Sequence, residues 1–170
     1  MSTGLRLAQV AFVVGLLYAA VSVYWGLGGT WLASTVGGAI EKGALAGNAG
    51  VILAVWVAAI LKVIAAVLPL LVVGRLRRSA SNRKLWLLAW IEAAIVTVYG
   101  LVLTASGLLL QAGVIHASAS ADHRALAWHA YLWDPWFLIW GLLVGGALLR
   151  AHRRHRRTAA WAVAPRSGAS

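Results

Sequence analysis

The sequence predicts an all-α integral membrane protein, a bundle of four transmembrane helices forming one domain, with both termini cytoplasmic. Three observations predict it. Of the 170 residues, 62% are apolar and 11% charged, with a mean hydropathy of +0.83, far more apolar than an average soluble domain. Four long apolar runs divide the chain, at about residues 5–27, 51–73, 85–110 and 126–149. Each supplies the ~20 helical residues that a bilayer core requires. The cations, finally, are shared unequally among the connections.

Taken in order, the first run carries Arg6 near its start. It is longer than a signal-peptide h-region and lacks a small-x-small site before Tyr24-Trp25, so it reads as a retained span. The connection at 28–50 holds Gly28-Gly29-Thr30-Trp31, Gly37-Gly38, Gly43, Gly47 and Gly50, with almost no charge. A solvated loop would be more polar, so this segment is expected at the interface or folded over the bundle mouth. Non-helical backbone at that depth needs cover from protein or a wet cavity. A lid and an inert interfacial helix are both open readings.

The second run stops at Gly74, and Arg75, Arg77, Arg78, Arg83 and Lys84 fill the next connection. That connection is short enough to make runs two and three an antiparallel hairpin. The third run ends at Gln111-Ala112-Gly113, and the fourth leads into a basic tail, 150–170, with Arg150, Arg153, Arg154, Arg156 and Arg157. The remaining connections carry only Lys42 and Arg124. The positive-inside rule therefore places both termini in the cytoplasm, as an even number of spans requires.

A net charge of +11 raises the question of nucleic acid, but the cations flank apolar segments. Membrane topology and anionic lipid at the tail account for them, and no nucleic-acid partner is expected. The chain has no cysteine, which excludes thiol redox chemistry, disulfides and thiolate metal sites, and a reading like the vitamin K reductases with them.

Chemistry is expected where charge enters the apolar runs. Only four acids are present, and Glu92 and Asp134 lie inside the third and fourth runs, while Lys62 lies inside the second. A charge in hydrocarbon costs about 2.5–3.5 kcal/mol on insertion scales, a cost borne mainly where the group faces a bundle interior and acts. Counting helical rise puts Asp134 ~12 Å and Lys62 ~16 Å below the outer boundary, and Glu92 ~10 Å above the cytoplasmic one. If all three face inward they approach contact. An ion pair of Lys62 with Glu92 or Asp134 would then hold helices together, at only about 0.6–2 kcal/mol per contact. Two acids against one base leave one carboxyl unmatched, and desolvation favours its neutral, proton-donating form.

Ten tryptophans are the second unusual feature. Trp31, Trp86 and Trp161 fit an interfacial belt. Trp133, Trp136 and Trp140 share one helix face, with Asp134 at its edge, and Trp90 precedes Glu92 by two residues. Indole faces stabilise cations by about 0.5–2 kcal/mol each when desolvated. Tyr24, Tyr99 and Tyr131 extend this aromatic wall or relay a proton, and Trp25 and His129 join the lining near its outer end. Pro135 removes a helix hydrogen bond and bends the span beside Asp134. Other site classes fail on count. His129 alone lies in a span, no HxxxH or carboxylate-rich motif is present, and no paired acidic motif offers Mg²⁺ a seat. No metal and no cofactor are expected.

The runs Tyr24-Trp25-Gly26-Leu27-Gly28-Gly29-Thr30-Trp31 and Trp133-Asp134-Pro135-Trp136-Phe137-Leu138-Ile139-Trp140-Gly141 resemble the signature of small four-span bacterial membrane proteins grouped as a domain of unknown function. The resemblance implies fold rather than activity, and Lys62 belongs to no part of it. A remoter likeness is functional. Small membrane terpene cyclases of indole- and meroterpenoid pathways open a prenyl epoxide with buried acids, an analogy of site chemistry without a shared motif.

The leading expectation is an acid-catalysed membrane isomerase that cyclises a lipid-soluble prenylated or epoxidised terpenoid. Asp134 would donate the proton, Glu92 would be second acid or terminal base, and Lys62 would set their protonation. The rival expectations are a proton-coupled exporter of lipophilic cations and a non-catalytic accessory subunit.

Overall fold

A computed structural model describes residues 2–76 and 83–163. Arg77, Arg78 and the end of the basic tail fall outside the described residues, as do the side chains of Arg75, Arg156, Arg157 and Trp161. Six helices follow in order: α1 (Thr3–Gly26), α2 (Gly38–Leu45), α3 (Ala49–Leu76), α4 (Arg83–Gln111), α5 (His123–Trp128) and α6 (Asp134–Val163). A 3-10 turn spans Ala33–Thr35, and a π turn, His129–Trp133, joins α5 to α6. There is no strand among the described residues. Four stretches are long and apolar enough to cross a membrane: Thr3–Gly26, Ala49–Gly74, Arg83–Gln111 and the continuous His123–His155. The start of the basic tail is thus helix, an extension of α6.

The bundle is small inside and large outside. Ala8, Ala11, Ala66, Ala89, Ala93 and Ala147 surround Trp140, Val144 and Leu148 in the core, whereas Leu17, Leu53, Ile64, Leu101 and Val102 point outward. Lipid tails are as apolar as leucine, so burial of bulk gives no gain between membrane helices, and small residues that allow close backbone approach decide the packing. The α4–α6 seam shows this. A Cβ added at Gly100 would strike the Leu138 backbone, and one at Gly141 would strike Thr97.

Because Ala89, Ala93 and Gly100 are spent on α6, α4 has little small surface left for α3. The strong packings are α1 on α3, α4 on α6, and α1 on α6, while α3 and α4 touch only lightly. The expected hairpin of runs two and three is therefore not a packed pair, and the seam between them stays thin.

The connection at 28–50, the first outer connection in the orientation expected from the sequence, folds back over the bundle. Trp56 Nε1 donates to the Gly26 carbonyl at 3.1 Å, and Trp25 Nε1 to the Trp31 carbonyl at 2.8 Å. Thr35 Oγ1 donates to the Leu32 carbonyl at 2.6 Å. Asn48 Oδ1 accepts from the Gly50 and Val51 amides, an N-terminal cap for α3. Asp122 caps α5 through the Arg124 and Ala125 amides. Gly37, at φ +68°, lies where a Cβ would meet Ala125, so a left-handed, side-chain-free residue lets the connection seat on α5.

Candidate functional site

The site begins with the π turn. Pro135 has no amide hydrogen, and the Asp134 amide reaches back five residues to the His129 carbonyl. In a regular α-helix, residues five apart point about 140° away from each other. The wider π turn reduces that angle and stacks His129 over Asp134, with Nδ1 at 3.2 Å from Oδ1. Such turns recur at functional sites. Asp134 is buried, and it opens the first turn of α6.

His129 Nε2 lies 3.2 Å from the Val36 carbonyl on the first outer connection. A carbonyl only accepts, so Nε2 carries hydrogen. The second proton then has two arrangements. Nδ1–H donates to the aspartate, or the protonated aspartic acid donates to Nδ1. In both, one mobile proton sits between the two side chains.

This pair faces a cavity of about 530 Å³ bounded by α1, α3, α4, α6 and the first outer connection. In the same cavity, Lys62 Nζ donates to Ser22 Oγ at 2.7 Å and lies 4.2 Å from the centre of the Tyr18 ring. That ring is the hub of an aromatic wall. It stacks on Trp133 at 5.8 Å and Trp136 at 5.1 Å, and meets Phe137 edge-on at 4.7 Å. Trp25 abuts Trp133 at 5.5 Å, and Tyr99 abuts Phe137 at 5.1 Å. Val36, Asn48 and Val51 close the side nearest the 28–50 connection. The buried Thr35 holds that cover in place by accepting from Trp133 Nε1 at 3.1 Å. The glycine-rich connection is thus tied to the site through His129, Trp133 and Trp25.

Among the expected site residues, Asp134, Lys62, Trp25, Trp133, Tyr99 and His129 line this cavity. Trp136 stands behind Tyr18, with Nε1 donating to the Val14 carbonyl at 3.2 Å. Trp140 lies deeper in the core, against Gly15 and Ala66. Four residues lie elsewhere. Trp90 packs on Trp86, which stacks on His152 at the far end. Tyr24 covers Gly29 and accepts from the Trp31 amide, and Tyr131 is 64% exposed. Glu92 is two turns from Tyr99 along α4, about 10 Å, and neither of its carboxyl oxygens has a hydrogen-bond partner.

The expected ion pair of Lys62 with a carboxyl is replaced by two separate contacts. Asp134 bridges to His129, and Lys62 bonds to Ser22. The π turn is the reason, since it brings a base from the same chain segment to Asp134 before α3 is within reach. Sequence reasoning passed over Tyr18, Ser22, Phe137, Asn48 and Thr35. A signal existed for the first two, because Tyr18, Ser22 and Trp25 are spaced four and three apart on one face of α1.

Residues 15–144 match a family model described as "Protein of unknown function (DUF3995)". No curated protein and no solved structure matches the chain.

Proposed function

The chain belongs to the DUF3995 family, and from the geometry of its cavity we propose an integral-membrane acid catalyst that isomerises a lipophilic, oxygen-bearing substrate, with cyclisation of an epoxidised prenyl chain as the reaction that suits it best. One observation carries this reading. The His129–Asp134 pair, with Nδ1 3.2 Å from Oδ1, faces a cavity walled by Tyr18, Trp25, Trp133, Phe137 and Tyr99.

The steps balance without a cofactor. The Asp134–His129 pair gives its proton to the epoxide oxygen, and the C–O bond breaks with its electrons going to oxygen, leaving a hydroxyl and a carbocation. Aromatic faces stabilise that cation. An internal alkene supplies the electron pair for the new C–C bond, and the resulting cation loses a proton to the pair. The product has the substrate's mass. Lys62, held by Ser22, points the remaining ammonium hydrogens at the substrate oxygen. That cation in the same cavity disfavours a cationic cargo, and so the exporter reading. Glu92, off the cavity, has no part in these steps.

The cation asymmetry supports cytoplasmic termini in the cell membrane. The cavity then lies in the outer half of the bilayer, open to a lipid-soluble substrate. The test is expression with epoxy-prenyl precursors, followed by chromatography and mass spectrometry. A product of unchanged mass and new retention is expected. Asp134→Asn and His129→Gln should each lower its formation by about 10²-fold or more, and Glu92→Gln should leave it unchanged. Wild-type turnover by both site variants sinks the mechanism.

A further inference from the structure

A second concavity lies beside the first. It is an apolar depression of about 550 Å³ along α4, lined by Ala94, Ile95, Val98, Tyr99, Val102 and Leu103. Its residues face outward, with Ile95, Val98 and Val102 all exposed, and it runs about 14 Å by helical rise. Tyr99 borders both spaces, and among the described residues it is the α4 residue that borders the polar cavity. It also stands on the helix that packs only lightly on α3. The wall between bilayer and cavity is therefore one aromatic ring at a thin seam.

We infer that this groove is the tail-binding half of the site. The distal part of a single hydrocarbon chain of prenyl type lies along α4, and its oxygenated end, with the alkene next to it, passes Tyr99 to reach Lys62 and the Asp134–His129 pair. The occupant follows from continuity. The cavity, about 530 Å³ of space with a mostly apolar and aromatic lining, gathers Lys62, Ser22, His129 and Asp134, polar groups that suit an oxygenated head, while the groove presents only apolar surface to a chain. A lipid-soluble substrate diffusing in the bilayer then needs no passage through water. Tyr99 acts as a positioning residue, its ring edge braced on Phe137. The inference rests on reading the cavity as a site for a lipophilic oxygenated substrate, but not on catalysis there.

The test uses the full chain in proteoliposomes with a diazirine-bearing farnesyl alcohol as photoprobe, mapped by peptide mass spectrometry. Saturable labelling is expected on the 94–103 segment of α4 and on cavity peptides holding Trp25 or Val36, with farnesol as competitor. Labels on the outward residues of α1, such as Val13 and Leu17, should persist under competition, as annular lipid contact does. Val98→Trp, a change at an exposed position, should fill the groove and weaken competition by farnesol about tenfold, while dimethylallyl alcohol, too short to use the groove, competes as in wild type. Partitioning into the bilayer is the same for both proteins and cancels.

Uniform, unsaturable labelling around the bundle overturns the inference, as does saturable labelling confined to cavity peptides. Saturable labelling of α4 by a protein that yields no isomer upholds the groove and sinks the acid catalysis. Isomerisation that Val98→Trp leaves equal for long and short substrates upholds the catalysis and overturns the groove.

Discussion

Trp133 and Thr35 are 98 positions apart in the chain, and their hydrogen bond is what fastens the outer connection to the cavity wall. Thr35 is 1% exposed, Trp133 is 2% exposed, and an orphaned donor at such a place costs about 1–3 kcal/mol. Thr35→Val removes the acceptor for Trp133 Nε1–H and the donor to Leu32. It should lower stability by about that amount and speed hydrogen exchange across residues 30–37. Thr35→Ser, which keeps the hydroxyl, should remain near wild type. Equal melting temperatures for the two variants in detergent would remove this bond from the account. Two glycines give a second, opposed pair. A Cβ at Gly15 would stand 2.7 Å from the Trp140 ring and 2.8 Å from Ala66, so Gly15→Ala overpacks the core, at about 1–3 kcal/mol. A Cβ at Gly145 meets nothing within 4 Å. Gly145→Ala should therefore stabilise α6 by about 0.5–1 kcal/mol through backbone entropy. Thermal unfolding of both variants reads the sign directly.

At the scale of elements, the π turn decides which groups meet. Pro135 was legible as a bend, but a bend alone leaves His129 and Asp134 on different faces. Only the extra residue in the turn between α5 and α6 aligns them, and no pattern of residue types announces it, since the turn sequence His-Ala-Tyr-Leu-Trp suits an α-helix equally well. Tyr131, within the same turn, is exposed. Counting rise along each span put Lys62, Asp134 and Glu92 in one band, and of these Lys62 and Asp134 line one cavity while Glu92 does not. Rotation about the helix axis was less legible, because apolar residues point toward lipid as readily as toward the core. Trp90 is accordingly found with Trp86 and His152 at the cytoplasm-expected end, while Glu92 lies two turns off the cavity. Pro135→Ala restores an amide and permits a regular α turn. It should separate His129 from Asp134 and lower turnover by about 10²-fold, comparable to loss of the acid itself, with a melting temperature at or above wild type. Full activity in a stable Pro135→Ala protein would show that the paired geometry does not matter for turnover.

For the whole molecule, the two ends of the bundle differ in kind. One end carries Arg83 and Lys84 at the start of α4 and Arg150, Arg153 and Arg154 along the C-terminal half of α6. The other carries the capped, glycine-rich connection and the cavity mouth, with few charges. Fold class was legible because four apolar runs admit few arrangements in a bilayer. The pairing of α1 with α3 and of α4 with α6 was not, because close approach depends on scattered alanines and glycines rather than on bulk. The charge difference between the ends predicts orientation, and the absence of native cysteine allows a clean measurement. Thr3→Cys and Ala119→Cys are both at exposed positions, on the N-terminal side of α1 and between α4 and α5. In intact cells a membrane-impermeant maleimide should label residue 119 and spare residue 3, which should react only after permeabilisation. The opposite pattern would set the cations of that end on the outer surface against the positive-inside rule. It would also open the cavity mouth to the cytoplasm, and the substrate would then have to come from the inner leaflet.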